Sequence, residues 1–401
     1  MKGRLVVWLL SFSPAMAGLA SYGINLLAAI SLNSVVDYSL YLSLQSWAVY
    51  FGAVSALGLV DMKLSPNGRC YSAFQLFGLS IITSLLGAIC LALVSAVTGS
   101  ITSLVVGITG FIYAAYQSLM MASLMVKIST VPVILRFARA VLLLVLGGAL
   151  MTGVTGQSSP LYFMGAQALA AAIAISSFSM KLPAVPFSLI SATMRKIWML
   201  DRGRWVKRNL SYIIDMAHYP LFYTAFGMIA EISEPEHRKT IYIAGLLVPV
   251  AAILNQMISE RLRLNFGLTG LSGLRSRFAT YSRIGHTLLI VYLIIYVSTL
   301  FLCGASLMAI ISHQLVLAIL LFVHALFILH SSTCGVIMSH AGLERLDLTI
   351  NSFVLFMLVV FIYGLEFGAT SLQFVVMLIS SKYMAQLLIA YSTIFVKSKE
   401  K

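Results

Sequence analysis

The sequence predicts an all-α polytopic membrane protein with twelve transmembrane helices in two six-helix lobes. Three observations lead there. The first is composition: of 401 residues, 60% are hydrophobic and 9% charged, and the mean hydropathy is +0.98. The second is the recurrence of apolar stretches of about 20 residues, the length a helix needs to cross roughly 30 Å of hydrocarbon. A membrane β-barrel would instead show short segments of alternating polarity, and the chain has no such pattern. The third is the placement of Lys and Arg, which fall almost entirely on one side of the spans.

The spans are expected near 11–32, 36–60, 72–97, 101–125, 131–152, 161–180, 209–230, 240–259, 284–304, 308–330, 349–368 and 371–395. With the N-terminus inside, twenty-one of the 26 Lys and Arg residues lie in cytoplasmic segments. Arg238 and Lys239 lie outside, and Arg136, Arg139 and Lys382 lie within spans. Basic residues retained inside set topology, so both termini are expected in the cytoplasm. This asymmetry also supplies most of the formal charge of +14, and no nucleic-acid partner is expected. The N-terminal "MKGRLVVWLLSFSPAMAGLA" imitates a secretory signal, with Ala15-Met16-Ala17 in the place of a cleavage site. Its apolar run continues to about Leu32, which favours an uncleaved first span.

The chain divides into a first lobe at 1–180, a basic cytoplasmic linker at 181–208 and a second lobe at 209–401 with a short basic tail. An even split of six and six spans gives both halves one orientation. They would be parallel pseudo-repeats about an axis along the membrane normal, with a cavity between them. The linker carries seven Lys or Arg residues, with Trp198 and Trp205 among them. It reads as an inside-retained connector with an interfacial helix, in preference to a lipid-phosphate docking strip. Within "AQALAAAIAISS", Ala166, Ala170 and Ala174 are four apart, so neighbouring helices can approach closely. Pro220 and Pro249 fall mid-span and should bend their helices.

Lys382 is the sharpest feature. It sits near the middle of "VVMLISSKYMAQLLIAYSTIF", where an ammonium costs about 2.5–3.5 kcal/mol on insertion scales. A water-filled cavity is the preferred setting, and an ion pair inside the bundle is the alternative. Gln386, one turn further on, shares its face. Arg136 and Arg139 in "VPVILRFARAVLLLVLGGAL" are three apart on one helix face. Either they grip a phosphate through forked donors or they snorkel to the inner headgroups. Asp215 and His218 in "NLSYIIDMAHYPLFY" are also three apart. They could carry a coupling proton, help hold a sodium ion, or neutralise a buried cation. Asn25, Gln45, Gln117, Asn255 and Gln256 suit sugar hydroxyls or interhelical hydrogen bonds, and the latter is the safer reading.

His313, His324 and His330 lack the spacing of a helical metal pair, so no metal site is assigned. Cys70, Cys90, Cys303 and Cys334 show neither metal spacing nor a disulfide framework. No nucleotide loop or catalytic triad is present, no catalytic residue is assigned, and the only cofactor expected is a coupling proton or sodium ion. A membrane polymerase or ligase would need a sizeable outer loop, whereas the largest here is "EISEPEHRK". The cavity so inferred is net positive, which implies an anionic cargo. A negative cytoplasm drives such cargo outward by about 2.3 kcal/mol per charge per 100 mV.

At this point the chain resembles the polysaccharide flippases, of the Wzx type, in the multidrug/oligosaccharidyl-lipid/polysaccharide (MOP) exporter superfamily. The likeness rests on "LLAAISLNSVVDYSLYLSLQSWAVYFGAVSALGLVDMKL" in spans one and two. It recurs in "YIIDMAHYPLFYTAFGMIAEISEPEHRKTIYIAGLLVPVAAILNQMISERLRL" in spans seven and eight. The resemblance implies a V-shaped bundle working by alternating access in the bacterial inner membrane. It implies a polyprenyl-pyrophosphate-linked oligosaccharide as cargo, for O-antigen or exopolysaccharide, with a polysaccharide polymerase and a chain-length regulator as partners. Asp215 falls where such proteins place an acid in span seven. Lys63, after Gly58-Leu59, only partly matches the basic residue usual after span two. A multidrug/cation antiporter of the same superfamily is the alternative, and it should favour acids in its cavity.

Overall fold

In the computed structural model the described residues are 2–32, 34–56, 58–60, 62, 70–126, 130–151, 159–179, 186–232, 283–299, 315–331, 343–364 and 369–395, with scattered positions in 245–258 and at 334 and 338. They form helices and short turns, with no strand among them. The helices are α1 (Lys2–Ser31), α2 (Val35–Ser55), α3 (Ala73–Thr98), α4 (Ile101–Met125), α5 (Thr130–Met151), α6 (Pro160–Ser179), α7 (Phe187–Leu200) and α8 (Arg202–Ile232). After these come α9 (Arg283–Thr299), α10 (Leu315–Ser331), α11 (Glu344–Gly364) and α12 (Ala369–Phe395). Half of the expected span at 240–259, together with Pro249 and Cys303, lies outside the described residues.

The chain separates into two compact units, 1–33 with 41–220 and 34–40 with 221–401. In the first unit, α3 packs on α4 and α7, α1 on α5, and α6 on both α4 and α5. In the second, α12 packs on α10 and α11.

Among the described residues six helical segments, in α3, α4, α5, α6, α11 and α12, are long and apolar enough to cross a membrane. Their burial differs with position. In the spanning window of α4, 56% of residues are buried, against 17% in α3. Leu85, Leu86 and Leu93 of α3 stand exposed, as a face meeting lipid tails should. α4 instead turns Tyr113, Tyr116, Leu119 and Ala122 inward. α2 and α8 are long enough to cross but are not in this group. Tyr, Ser, Gln, Asp and His dilute their hydropathy, and several of these side chains reappear in the sites below.

Lipid tails are as apolar as leucine, so helices here associate by close packing rather than by a hydrophobic drive. Ala166, Ala170 and Ala174 form the expected stripe and are buried. The approach is tighter still between α2 and α4. A Cβ on Gly52 would collide with the Gly110 carbonyl oxygen, and one on Gly110 would lie 2.8 Å from the Ala48 oxygen. α3 ends at Gly99, whose φ of 69° suits glycine, and α4 begins two residues later. Ser95 Oγ donates to the Ser100 carbonyl at 2.7 Å and closes this hairpin.

The basic connector folds as α7, amphipathic and docked on the first unit. Ile190 and Ile197 pack with Leu59, Met62, Tyr71, Leu76 and Leu79. Thr193 Oγ1 donates to Gln75 Oε1 at 2.9 Å. At its C-terminal end the Tyr71 hydroxyl donates to buried Asp201 Oδ2 at 2.7 Å. Burial and this carboxylate together push the Tyr71 phenol well above its ordinary range.

Candidate functional site

The polar core of the first unit centres on Gln167. Its Nε2 donates to the Tyr41 hydroxyl at 2.6 Å. Its Oε1 accepts from the Tyr113 hydroxyl at 2.6 Å and from Gln45 Nε2 at 3.1 Å. The Tyr41 hydroxyl in turn donates a hydrogen bond to Asn25 Oδ1 at 2.8 Å. Side chains from α1, α2, α4 and α6 are thus joined through one amide, and Tyr41, Tyr113, Asn25 and Gln167 are all buried. In a dry interior each missing bond would leave a desolvated polar group, so such a network fixes the mutual register of four helices.

The two arginines of α5 reach different neighbours. Arg136 is 3% exposed, and its Nη1 donates to Ser13 Oγ of α1 at 3.1 Å. Arg139 is half-buried beside α4, with its guanidinium 5.5 Å from the Tyr113 ring centroid and 5.1 Å from that of Tyr116. Each such contact is worth about 0.5–2 kcal/mol. The Arg139 Nε and the Tyr116 hydroxyl are buried without a hydrogen-bond partner among the described residues. The spacing of three sets both guanidiniums inward, one against α1 and the other against α4.

Asp215 and His218 meet on α8 as their spacing predicts. His218 Nδ1 lies 2.7 Å from the Asp215 carbonyl oxygen and 3.8 Å from Asp215 Oδ1. A carbonyl only accepts, so Nδ1 carries the proton and a neutral ring keeps its lone pair at Nε2. His218 is fully buried, whereas the Asp215 side chain is 34% exposed.

The second unit holds Lys382, 1% exposed, with Nζ 4.4 Å from the Tyr383 ring centroid. His324 of α10 packs edge-on to the same ring, centroids 5.8 Å apart. Ser380 Oγ donates to the Val376 carbonyl at 2.6 Å and accepts from His324 Nδ1 at 3.3 Å. That leaves His324 Nε2 buried without a hydrogen-bond partner among the described residues. Gln386 does not stand beside Lys382 as a free polar group: its Nε2 donates to Asp347 Oδ1 of α11 at 2.8 Å. α11 and α12 pack together, and the Asp347–Gln386 pair fixes their antiparallel register. One turn along, Asn351 comes level with Lys382. Asn351 is buried as well.

Sequence reading overlooked three members of these clusters. His324 was weighed only for metal spacing, although a single intramembrane imidazole is itself a signal. Gln167 was passed over inside an alanine stripe read for packing, and Tyr113 had no partner nearby in sequence. Gln117 is exposed and joins none of them. Gln256 lies outside the described residues.

These features define a multi-pass helical membrane protein with the fold of the MATE transporters, a twelve-helix, two-lobe architecture. The eukaryotic MATE transporter AtDTX14 superposes with a TM-score of 0.60 at 12% identity, over 96% of this chain and 93% of that one. The MATE multidrug transporter DinF-BH gives 0.57 at 13%, over 98% and 94%. A mutant of the Vibrio cholerae MATE transporter VcmN gives 0.54 at 14%, over 99% and 96%. No protein-family model matches the sequence, and no curated protein matches it.

Proposed function

We propose that the chain is a transporter of the MOP superfamily and, within it, a flippase for a polyprenyl-pyrophosphate-linked oligosaccharide. It would work by alternating access, moving the repeat unit from the cytoplasmic to the periplasmic leaflet of a bacterial inner membrane. Both termini would face the cytoplasm. One observation carries the choice of cargo. Among the described residues, the Lys, Arg, Asp and Glu side chains buried within the apolar spans are Arg136 and Lys382, and both are cations. The buried acid Asp201 lies outside the spans, held by Tyr71. An interior with this sign favours pyrophosphate or acidic sugars and repels cationic drugs. Lys382 with Arg136 and Arg139 would attract the anion. Asp215 with His218 would carry the coupling proton or hold a sodium ion. A polysaccharide polymerase and a chain-length regulator would act beside it.

A deletion strain complemented with Lys382→Ala should lose most surface polysaccharide at equal protein level, while Lys382→Arg should keep part of it. Full export by the alanine variant would remove Lys382 from the mechanism. The fold shared with MATE transporters supports a second reading, a multidrug/cation antiporter. Drug hypersusceptibility on deletion, with unchanged polysaccharide, would favour that one.

A further inference from the structure

A groove of about 470 Å³ runs between α3 and α7, within the common size range of small-molecule sites. Its walls include Leu79 and Ile82 of α3 and Phe187, Met194 and Trp198 of α7, with Arg195 at its polar edge. The groove is a fixed feature, because Ile190, Thr193 and Ile197 clamp the adjacent face of α7 to the first unit. Phe187 and Trp198 nevertheless remain 72% and 48% exposed. Beside this apolar trough the charge is one-sided. Arg195, Lys196, Arg202 and Arg204 are exposed, and Arg202 lies over the Trp198 ring at 4.2 Å. The one acid among them, Asp201, is turned inward to Tyr71.

We propose that this groove is a binding site for an anionic phospholipid of the bilayer. An acyl chain lies between α3 and α7, and the headgroup phosphate is held by Arg195, which lines the groove, with Arg202, which lies over Trp198. Two independent features select that occupant. An apolar trough this size, at a membrane-spanning helix, suits a hydrocarbon chain. A cluster of cations beside an indole, on an amphipathic helix, suits a negative headgroup. A soluble anion would leave the trough empty, and a zwitterionic lipid would leave the cations uncompensated. The site is distinct from Lys382 and the α5 arginines. It would make the connector responsive to the lipid composition of the surrounding leaflet.

The test uses the full chain in lipid nanodiscs, with Trp8, Trp47 and Trp205 replaced by Phe so that Trp198 alone reports. Brominated phosphatidylglycerol should quench Trp198 at least twofold more than brominated phosphatidylcholine at equal mole fraction. The preference should fall in high salt and vanish in Arg195→Ala/Arg202→Ala. Equal quenching by the two lipids, or a preference that survives the double substitution, overturns the proposal. Should the triple Trp variant not fold, the unmodified chain serves. Its melting temperature in detergent should rise with added phosphatidylglycerol but not phosphatidylcholine, and equal responses would count against the site. Neither readout involves transport, so the result stands apart from the flippase reading.

Discussion

At the scale of single residues, the first unit depends on a phenol and a carboxylate. Tyr71 donates to Asp201, which is buried and closes the end of α7. Tyr71→Phe removes this donor from the carboxylate, and a hydrogen bond to a charged group contributes about 1.5–3 kcal/mol. The variant should melt several degrees lower in detergent, and α7 should become more accessible to protease. The pH dependence follows from the raised phenol. A group whose folded pKa lies above its unfolded value contributes stability below the unfolded value and loses it as pH rises past that point. The melting gap between wild type and Tyr71→Phe should therefore hold constant from about pH 6 to 9. It should narrow only above about pH 10, the ordinary phenol value. A gap that closed near neutrality would contradict the assignment.

Lys382 shows how far one residue can be read from sequence. A mid-span ammonium announces itself by its cost, and the structure does bury it. Its surroundings were not legible, because His324 comes from another helix and no spacing rule links it to residue 382. Gln386 shows the converse. Helical periodicity placed it on the Lys382 face, but its amide is taken by Asp347 across the α11–α12 contact. Periodicity gives the face a residue occupies and says nothing about who already sits there.

Among elements, the helices themselves were largely legible. The apolar run at 101–125 became α4 with the same bounds, since a span ends where lipid ends and polar residues begin. α8 starts seven residues before the expected 209 because Arg202, Arg204, Lys207 and Arg208 are good helix formers that extend the span into water. Helix contacts were only half legible. The alanine stripe of α6 announced close packing, whereas the Gly52–Gly110 crossing gave no repeat to find. Gly52→Val should wedge α2 from α4 and cost about 1–3 kcal/mol. The loss should appear as a lower melting temperature, while the same change at open Gly148 should be tolerated. Gln167→Leu should act differently, by taking the acceptor from the Tyr113 hydroxyl and from Gln45 Nε2 at once. The expected loss is about 2–4 kcal/mol from two desolvated groups. Gln167→Glu, which keeps an acceptor for Tyr113, should recover part of it. Equal melting of wild type and the leucine variant would show the network to be incidental.

For the whole molecule, the composition and one-sided cations led to a polytopic helical protein, and the superposition on MATE transporters bears out that fold class. Fold alone does not choose a cargo, since one architecture can hold interiors of either sign. The sign is set by particular residues, and among the described ones the charged side chains fully buried in the spans are Arg136 and Lys382; Arg139, Asp215 and Asp347 are half-buried. The central claim is the proposed one, that these buried cations serve the movement of anionic lipid-linked sugar. The most direct test is reconstitution in proteoliposomes with a fluorescent polyprenyl-pyrophosphate oligosaccharide and, in parallel, a cationic dye. Wild-type protein should move the glycolipid between leaflets and leave the dye. Lys382→Ala should slow glycolipid movement about tenfold, a barrier change of about 1.4 kcal/mol. Transport of the dye with no movement of the glycolipid, or an alanine variant as fast as wild type, would contradict the account.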